Sequence, residues 1–525
     1  MVSHRRMARW PAALAAMAML AGCTVGPSSR PPLATEGQPP ATTSAGTTPS
    51  PRPVGPGGPG QTAEPLDWQS CPSDIPSEGR AGSALTLQCA ELSVPLSYGK
   101  KGSSTIYLDV ARARSASTPA DAPDLVVVLG GPGENGRADI AEVAGQMPAA
   151  VLASRAIVTL DLRGSISQAP SMACFSRDTV IGLLSPPIDP SNPQDAELAD
   201  KLSTAAAFDC GRDAGTSMTE FGTTAAADDL DSLRSALGTD RLQYLGRGYG
   251  ATLGAEYAHR YPGRVARLVL DSPSDPQSSL SEAATARAVA LEAALDDFAA
   301  DCSAAAGGCP LGSEPRQMIA ALVDDLGGAS SGGYLVTGGS VLLLLSELLG
   351  RPARWPELRK ALAAAGGDSG SPDQLAALLE RTVGVDDDHR MIESRLAYTC
   401  NDAAERLTAK ALTDAAAAAK ARAPMFGSFM VGQAALCGAW PTAVAPLGRL
   451  SGDGAPPILI AGAVKDPIAP YSGIKAVVSQ LSAGSLVAWQ SGSHGTFPDS
   501  GCVSAAVQSY LTKGIEPPSG ALCPP

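Results

Sequence analysis

A chain of 525 residues with 44% apolar and only 17% charged residues can bury a sizeable core, which excludes a disordered protein and suits one large elaborated domain or two. A formal net charge of −13 leaves no basic stripe to neutralise phosphates, so nucleic acid is not an expected partner. With four histidines and no Cys/His group at zinc spacing, neither a metal site nor a cofactor is expected.

In chain order, His4, Arg5, Arg6 and Arg9 precede Pro11–Leu20, an apolar run too short to span a bilayer and typical of an export signal. It ends in Leu20-Ala21-Gly22-Cys23, which resembles the lipobox of bacterial lipoproteins. Residues 1–23 are therefore expected to be a signal, with Cys23 acylated and holding the chain in the membrane from the extracytoplasmic side. Residues 24–66, rich in Pro, Gly, Thr and Ser, bury too little to fold and read as a tether. Ten cysteines follow, and an even number in an exported chain points to disulfides. They fall into neighbouring couples, so the expectation is Cys71–Cys89, Cys174–Cys210, Cys302–Cys309, Cys400–Cys437 and Cys502–Cys523, although spacing does not fix connectivity.

From about Asp67, strands alternate with helices. Leu125–Leu129 and Ala156–Leu160 are continuous apolar runs, the mark of strands buried on both faces. Asp228–Leu237 has helical spacing and Gly238 as its stop. Leu242–Leu245 predicts a strand, Tyr249–Tyr261 a helix closed by Pro262, and Val265–Leu270 a strand. Residues 277–450 carry mostly Ala/Leu-rich helical signal, within which Val341–Leu345 predicts a buried helix. Strand signals return at Pro457–Ala461 and Leu486–Trp489, helical ones at Tyr471–Leu481 and Val503–Leu511. This pattern predicts an α/β fold: a doubly wound, mostly parallel sheet (67–276 and 451–525) with an inserted helical cap at 277–450.

Short motifs sit at the strand ends, where open α/β sheets place their ligands. Gly130-Gly131-Pro132-Gly133-Glu134-Asn135-Gly136 follows the first strand and Asp161-Leu162-Arg163-Gly164 the second. Gly246-Arg247-Gly248-Tyr249-Gly250 follows the third, Lys465-Asp466-Pro467 and Ser493-His494-Gly495 the last two. The order turn, acid, histidine is that of the Ser…Asp…His hydrolases. Backbone N–H groups at Gly131 and Tyr249 would form an oxyanion hole. His494 would carry the proton and Asp466 would fix its tautomer. Gly246 and Gly250 supply the small neighbours an elbow needs. Asp161 and Arg163 are expected to brace the core through an ion pair, and His259 and His389 to be ordinary helix or loop residues.

Gly-Gly-Pro-Gly-Glu-Asn-Gly, Asp-Leu-Arg-Gly, Tyr-Leu-Gly-x-x-Tyr-Gly, Asp-Pro-Ile-Ala-Pro-Tyr and Ser-His-Gly jointly resemble the tripeptidyl-aminopeptidase-like (TAP-like) serine peptidases of the α/β-hydrolase superfamily, exported proteins common in actinobacteria. The resemblance spans about residues 67–525. It implies hydrolysis of peptide bonds near a free N-terminus, a cap that limits access, a peptide or small ester-like ligand, and a place for Asp402 near the junction of cap and core. The chain departs from the pattern at the decisive position: where the family has its serine, this sequence has Gly248, and Arg247 beside it also occupies an unusual slot for the family. The expectation is a pseudoenzyme that keeps the pocket. The alternative is an active exopeptidase or esterase with a non-standard nucleophile, for which Thr252, Ser272, Ser493 or a water on His494 are the candidates. A remoter alternative is a dinucleotide loop, Gly246-x-Gly248-x-x-Ala251, with Asp271 ending the next strand.

Overall fold

The computed structural model describes residues 63–77, 84–166, 168, 170–331, 333–366, 370–385, 391–518 and 520–525. The expected signal with Cys23, the tether up to residue 62, and His389 lie outside them.

The strands, in chain order, are β1 (Gln69–Ser70), β2 (Leu85–Pro95), β3 (Thr105–Ser115), β4 (Asp124–Val128), β5 (Ala156–Leu160), β6 (Leu242–Arg247), β7 (Val265–Asp271), β8 (Gly327–Ser331), β9 (Tyr334–Thr337), β10 (Ile458–Ala463), β11 (Gly484–Trp489) and β12 (Ala521–Cys523). Ten of them form one sheet in the order β1-β2-β3-β5-β4-β6-β7-β10-β11-β12, and β8 and β9 form a separate hairpin. The pairs from β1 to β3 and from β3 to β5 are antiparallel, and every pair from β5 to β12 is parallel. Right-handed crossovers cover both faces of a parallel sheet, so its strands need apolar residues on both sides.

The strands meet that need by alternation. Val126, Val128, Tyr244, Leu268, Leu270 and Ile460 face one core, shared with the helices Thr223–Ala236, Tyr249–Arg260 and Tyr471–Gln480. Leu125, Val127, Leu245, Val269 and Leu459 face the other, shared with Ile140–Gly145 and Gly501–Lys513. The period of two is why a continuous apolar run, rather than an alternating one, marks these strands.

A third apolar cluster lies between β7 and β10 in sequence and is helical. Leu291 and Leu295 on Leu280–Ser303 join Leu344 and Leu345 on Gly338–Leu348, Leu378 on Asp373–Val383 and Phe429 on Gly427–Ala434. Its borders do not follow the chain. Helix Pro193–Ala214, earlier in sequence, gives Ala196 and Ala199 to this cluster but Leu202 and Ala206 to the sheet core. Helix Ile392–Asp402, well inside 277–450, packs Ala397, Tyr398 and Cys400 on the sheet side. Disulfides join Cys71 to Cys89, Cys174 to Cys210, Cys302 to Cys309, Cys400 to Cys437 and Cys502 to Cys523.

Candidate active site at the elbow and its histidine

Gly248 stands between β6 and the helix Tyr249–Arg260, at φ 57° and ψ −118°. That is a backbone conformation glycine enters freely and other residues adopt only under strain. The turn is held by the Gly248 N–H, which donates to the main-chain oxygen of Asp271 at 2.8 Å. Its neighbours are as tight as an elbow requires. A Cβ on Gly246 would lie 2.2 Å from the oxygen of Gly250, and one on Gly250 would lie 2.1 Å from the oxygen of Val128.

His494 faces this turn. An ideal Cβ built on Gly248 would lie 2.8 Å from His494 Nε2, so the ring is aimed at the space a side chain there would fill. On its other side, His494 Nδ1 lies 3.0 Å from Oδ2 and 3.2 Å from Oδ1 of Asp466. The carboxylate is fully buried and the imidazole 20% exposed. Asp466 Oδ1 also accepts from the N–H groups of Ile468 and Ala469 at 2.8 and 2.9 Å, which fixes its plane. The main chain of His494 is pinned as well, its N–H donating to the oxygen of Gly350 at 2.7 Å.

Asp271 ties the two halves together. Its carboxylate accepts from the N–H and hydroxyl of Thr496 and from the N–H of Phe497, all at 2.8–3.0 Å. Burial pushes this carboxyl up, against the pull of those donors. This role corrects the dinucleotide alternative. Asp271 is fully buried and committed to the histidine loop, so it cannot meet a ribose.

Gly131 and Tyr249, the residues expected to form an oxyanion hole, lie side by side. A Cβ on Gly131 would lie 3.9 Å from the Cβ of Tyr249, and both residues line the same cavity. Beneath them, the Tyr249 hydroxyl is 2.7 Å from Thr223 Oγ1, which donates to Asp402 Oδ2 at 2.6 Å. Asp402 Oδ1 accepts from the Thr223 N–H at 2.7 Å. The Tyr398 ring meets that of Tyr249 edge to face at 5.6 Å.

Burial raises the Asp402 carboxyl to about 7, against the two Thr223 hydrogen bonds. Its folded value lies above its unfolded one, so its contribution to stability is present below pH 4 and is lost as pH rises to 7. Asp402→Asn removes that loss. Measured by urea denaturation, the variant is expected to gain about 1–3 kcal/mol on wild type between pH 5 and pH 8. A difference that stays constant across this window would show an unshifted carboxyl. Glu256, raised by burial to about 7 with the Asp402 charge adding to the rise, is relieved of that charge in the variant, which adds to the gain in the same direction.

The remaining expectations divide. Arg163 does not pair with Asp161. Its guanidinium is fully buried and forks onto Asp229 at 2.7 Å through two nitrogens, while Asp161 Oδ1 accepts the main-chain N–H of Arg137 at 2.8 Å. The turn after β5 sends the two side chains to different partners. His259 is structural, its Nδ1 accepting from the N–H of Ser451 at 3.2 Å. Val341–Leu345 lies within the helix Gly338–Leu348, and among the described residues no helix is long and apolar enough to cross a membrane. Of the substitute hydroxyls, Thr252 accepts from the N–H of Ser274, Ser272 is buried beside Asp271, and Ser493 bonds Ser491. Among the described residues, none of the three hydrogen-bonds to His494.

The elbow, Gly131, Tyr249, Asp402 and His494 open onto one cavity of about 1690 Å³, roofed by helices of the third cluster. Sequence reasoning missed the charged groups that line it. Arg395 reaches Glu134 at 3.4 Å, in the glycine-rich loop, and Glu347 at 3.6 Å, and Glu347 also receives Arg287 at 3.2 Å. Burial pushes Glu347 up, but Arg287, Arg395 and Arg351 together hold it below the usual carboxylate range. Glu134 had a signal, its place in Gly-Pro-Gly-Glu-Asn-Gly. The arginines come from two helices and a loop far apart in sequence and had none.

Comparison with known proteins agrees with this geometry. The profile described as "alpha/beta hydrolase fold" matches residues 124–317, and that described as "TAP-like protein" matches 423–523. The chain is 30% identical to the serine protease Hip1 of Mycobacterium tuberculosis over 88% of its own length and 91% of the relative's. It belongs to the TAP-like α/β-hydrolases. Other members of this family among its relatives are a tripeptidyl aminopeptidase of Streptomyces lividans, 26% identical over 88% of this chain and 87% of that protein, and a carboxylesterase B of M. tuberculosis, 29% identical over 95% of each. The first profile spans the elbow and the second spans Asp466 and His494.

Proposed function

We propose that this protein is an exported, lipid-anchored TAP-like hydrolase whose classical serine activity is lost or much reduced, and that it retains a peptide-sized pocket with which it binds or regulates. The single observation behind this reading is the side chain missing at residue 248, with His494 Nε2 aimed at the place it would occupy. Removing the nucleophile of a serine protease costs on the order of 10⁶ in kcat and leaves roughly 10³–10⁴ over water, from the oxyanion hole and binding. Among the described residues, no hydroxyl is hydrogen-bonded to the imidazole. The cavity, about 1690 Å³, exceeds the roughly 300–1,000 Å³ of drug-sized pockets and suits a short peptide. Leu20-Ala21-Gly22-Cys23 and the disulfides support export and anchoring.

Treatment of the purified protein with a fluorophosphonate is expected to give no labelling. Aminoacyl and tripeptidyl reporter substrates with free N-termini are expected to turn over no faster than about 10⁴ times the uncatalysed rate. Strong labelling that disappears in His494→Ala would overturn the reading and make this a working hydrolase.

A further inference from the structure

Arg351 stands apart from the other arginines of the cavity. Its main chain follows Gly350, whose oxygen receives the His494 N–H and whose Cα packs against His494 and Pro467. Its side chain is exposed yet lines the cavity. Among the described residues it makes no side-chain hydrogen bond and no ion pair, whereas Arg287 and Arg395 are both held by Glu347. Partial removal from water lowers its hold on its proton, which Glu347 only partly restores.

The local charge is uneven. Around Glu347, three guanidinium groups (Arg287, Arg351 and Arg395) stand against two carboxylates (Glu134 and Glu347), the neighbouring Arg354 being committed to Glu357. One positive charge is left over, and it sits on the group with no partner. A guanidinium presents a planar fork of donors that matches a carboxylate, and here no side chain competes with a ligand for them, only water. Glu134 and Glu347 stand close enough to repel a dianion, so a singly charged carboxylate fits better than a phosphate.

We propose that Arg351 is an anion subsite that binds one carboxylate of the peptide ligand, a residue that sets specificity rather than chemistry. This deepens the peptide-pocket reading and rests on it. The carboxylate could be the C-terminus of a short peptide or the side chain of an acidic residue. The test separates these sources by calorimetric titration of the intact protein with three probes: tetra-alanine, its C-terminal amide, and an amidated alanine tetrapeptide carrying one Glu.

At least one carboxylate-bearing probe is expected to bind about tenfold more tightly than the amide, which has no carboxylate. Arg351→Gln is expected to erase that preference while leaving the affinity for the amide unchanged. Because the side chain makes no hydrogen bond or ion pair and acts on Glu347 only at a distance, the variant should melt close to wild type, and Arg351→Lys should keep part of the preference. Equal affinity for all three probes, or a preference that survives in Arg351→Gln, would overturn the subsite while sparing the peptide pocket. Failure of every probe to bind would overturn both.

Discussion

Gly248→Ser is expected to turn a protein that ignores fluorophosphonates into one that is labelled, and to raise hydrolysis of a tripeptidyl reporter by about 10³-fold or more. The argument starts from what is already built. Asp466 is held by two main-chain N–H groups and holds His494 Nδ1, so the imidazole carries its correct tautomer and points its other nitrogen at residue 248. The elbow backbone is already at φ 57°, so no loop has to move to present a side chain. Two effects keep the gain below the full 10⁶ or so of an evolved nucleophile. A Cβ at this position comes within 2.8 Å of Nε2, closer than real Cβ contacts, so the ring must shift before an oxygen can be accommodated. The new residue also takes on backbone strain, about 1–3 kcal/mol, which should appear as a lower denaturation midpoint. Labelling should disappear again in Gly248→Ser/His494→Ala. A Gly248→Ser protein that folds, melts cooperatively and still resists the probe would mean that the acid and base are not poised, and the remnant-triad account would fail.

Much of this site was legible because its parts lie at strand ends, and buried parallel strands write themselves as continuous apolar runs. β4 and β5 were read to within a residue, and the turns after β4, β6, β10 and β11 then named Gly131, Gly248, Asp466 and His494. The antiparallel edge was not legible. β2 and β3 mix buried and exposed positions, with Gln88, Glu91, Arg112 and Arg114 among them, so no clean period emerges. β12 is three residues long and owes its place to parallel pairing with β11 and to Cys523, which bonds Cys502. The border of the cap was hidden for a different reason. Composition reports that a segment is helical, not which core its apolar face meets, and Ile392–Asp402 faces the sheet while Pro193–Ala214 faces both cores. Long-range charge partners such as Arg163 with Asp229 are invisible for the same reason: the two residues meet only after the strand and the helix have packed.

That pair carries the second large effect. Arg163 is fully buried, and besides gripping Asp229 it donates to the main-chain oxygens of Leu96 and Glu220 at 2.8 and 3.0 Å. Arg163→Met would remove all of these donors and leave Asp229 charged, in the interior, with one remaining donor among the described residues, the Tyr98 hydroxyl at 2.8 Å. Breaking a buried pair from one side costs about 3–5 kcal/mol, mostly the desolvation of the abandoned charge. The double variant Arg163→Met/Asp229→Leu removes that charge too, so it should recover part of the loss and be clearly less destabilised than the sum of the single changes. Arg163→Lys keeps a charge but not the fork, and should fall between wild type and Arg163→Met. The effect should reach the cavity, because the same turn receives helix Ile392–Asp402: Tyr398 donates to the oxygen of Arg163 at 3.1 Å and Ser394 to that of Gly164 at 3.0 Å. Urea titration at pH 7 decides it. A single-variant cost below about 1 kcal/mol would show that water reaches Asp229 and that the pair does not close the core beneath the site.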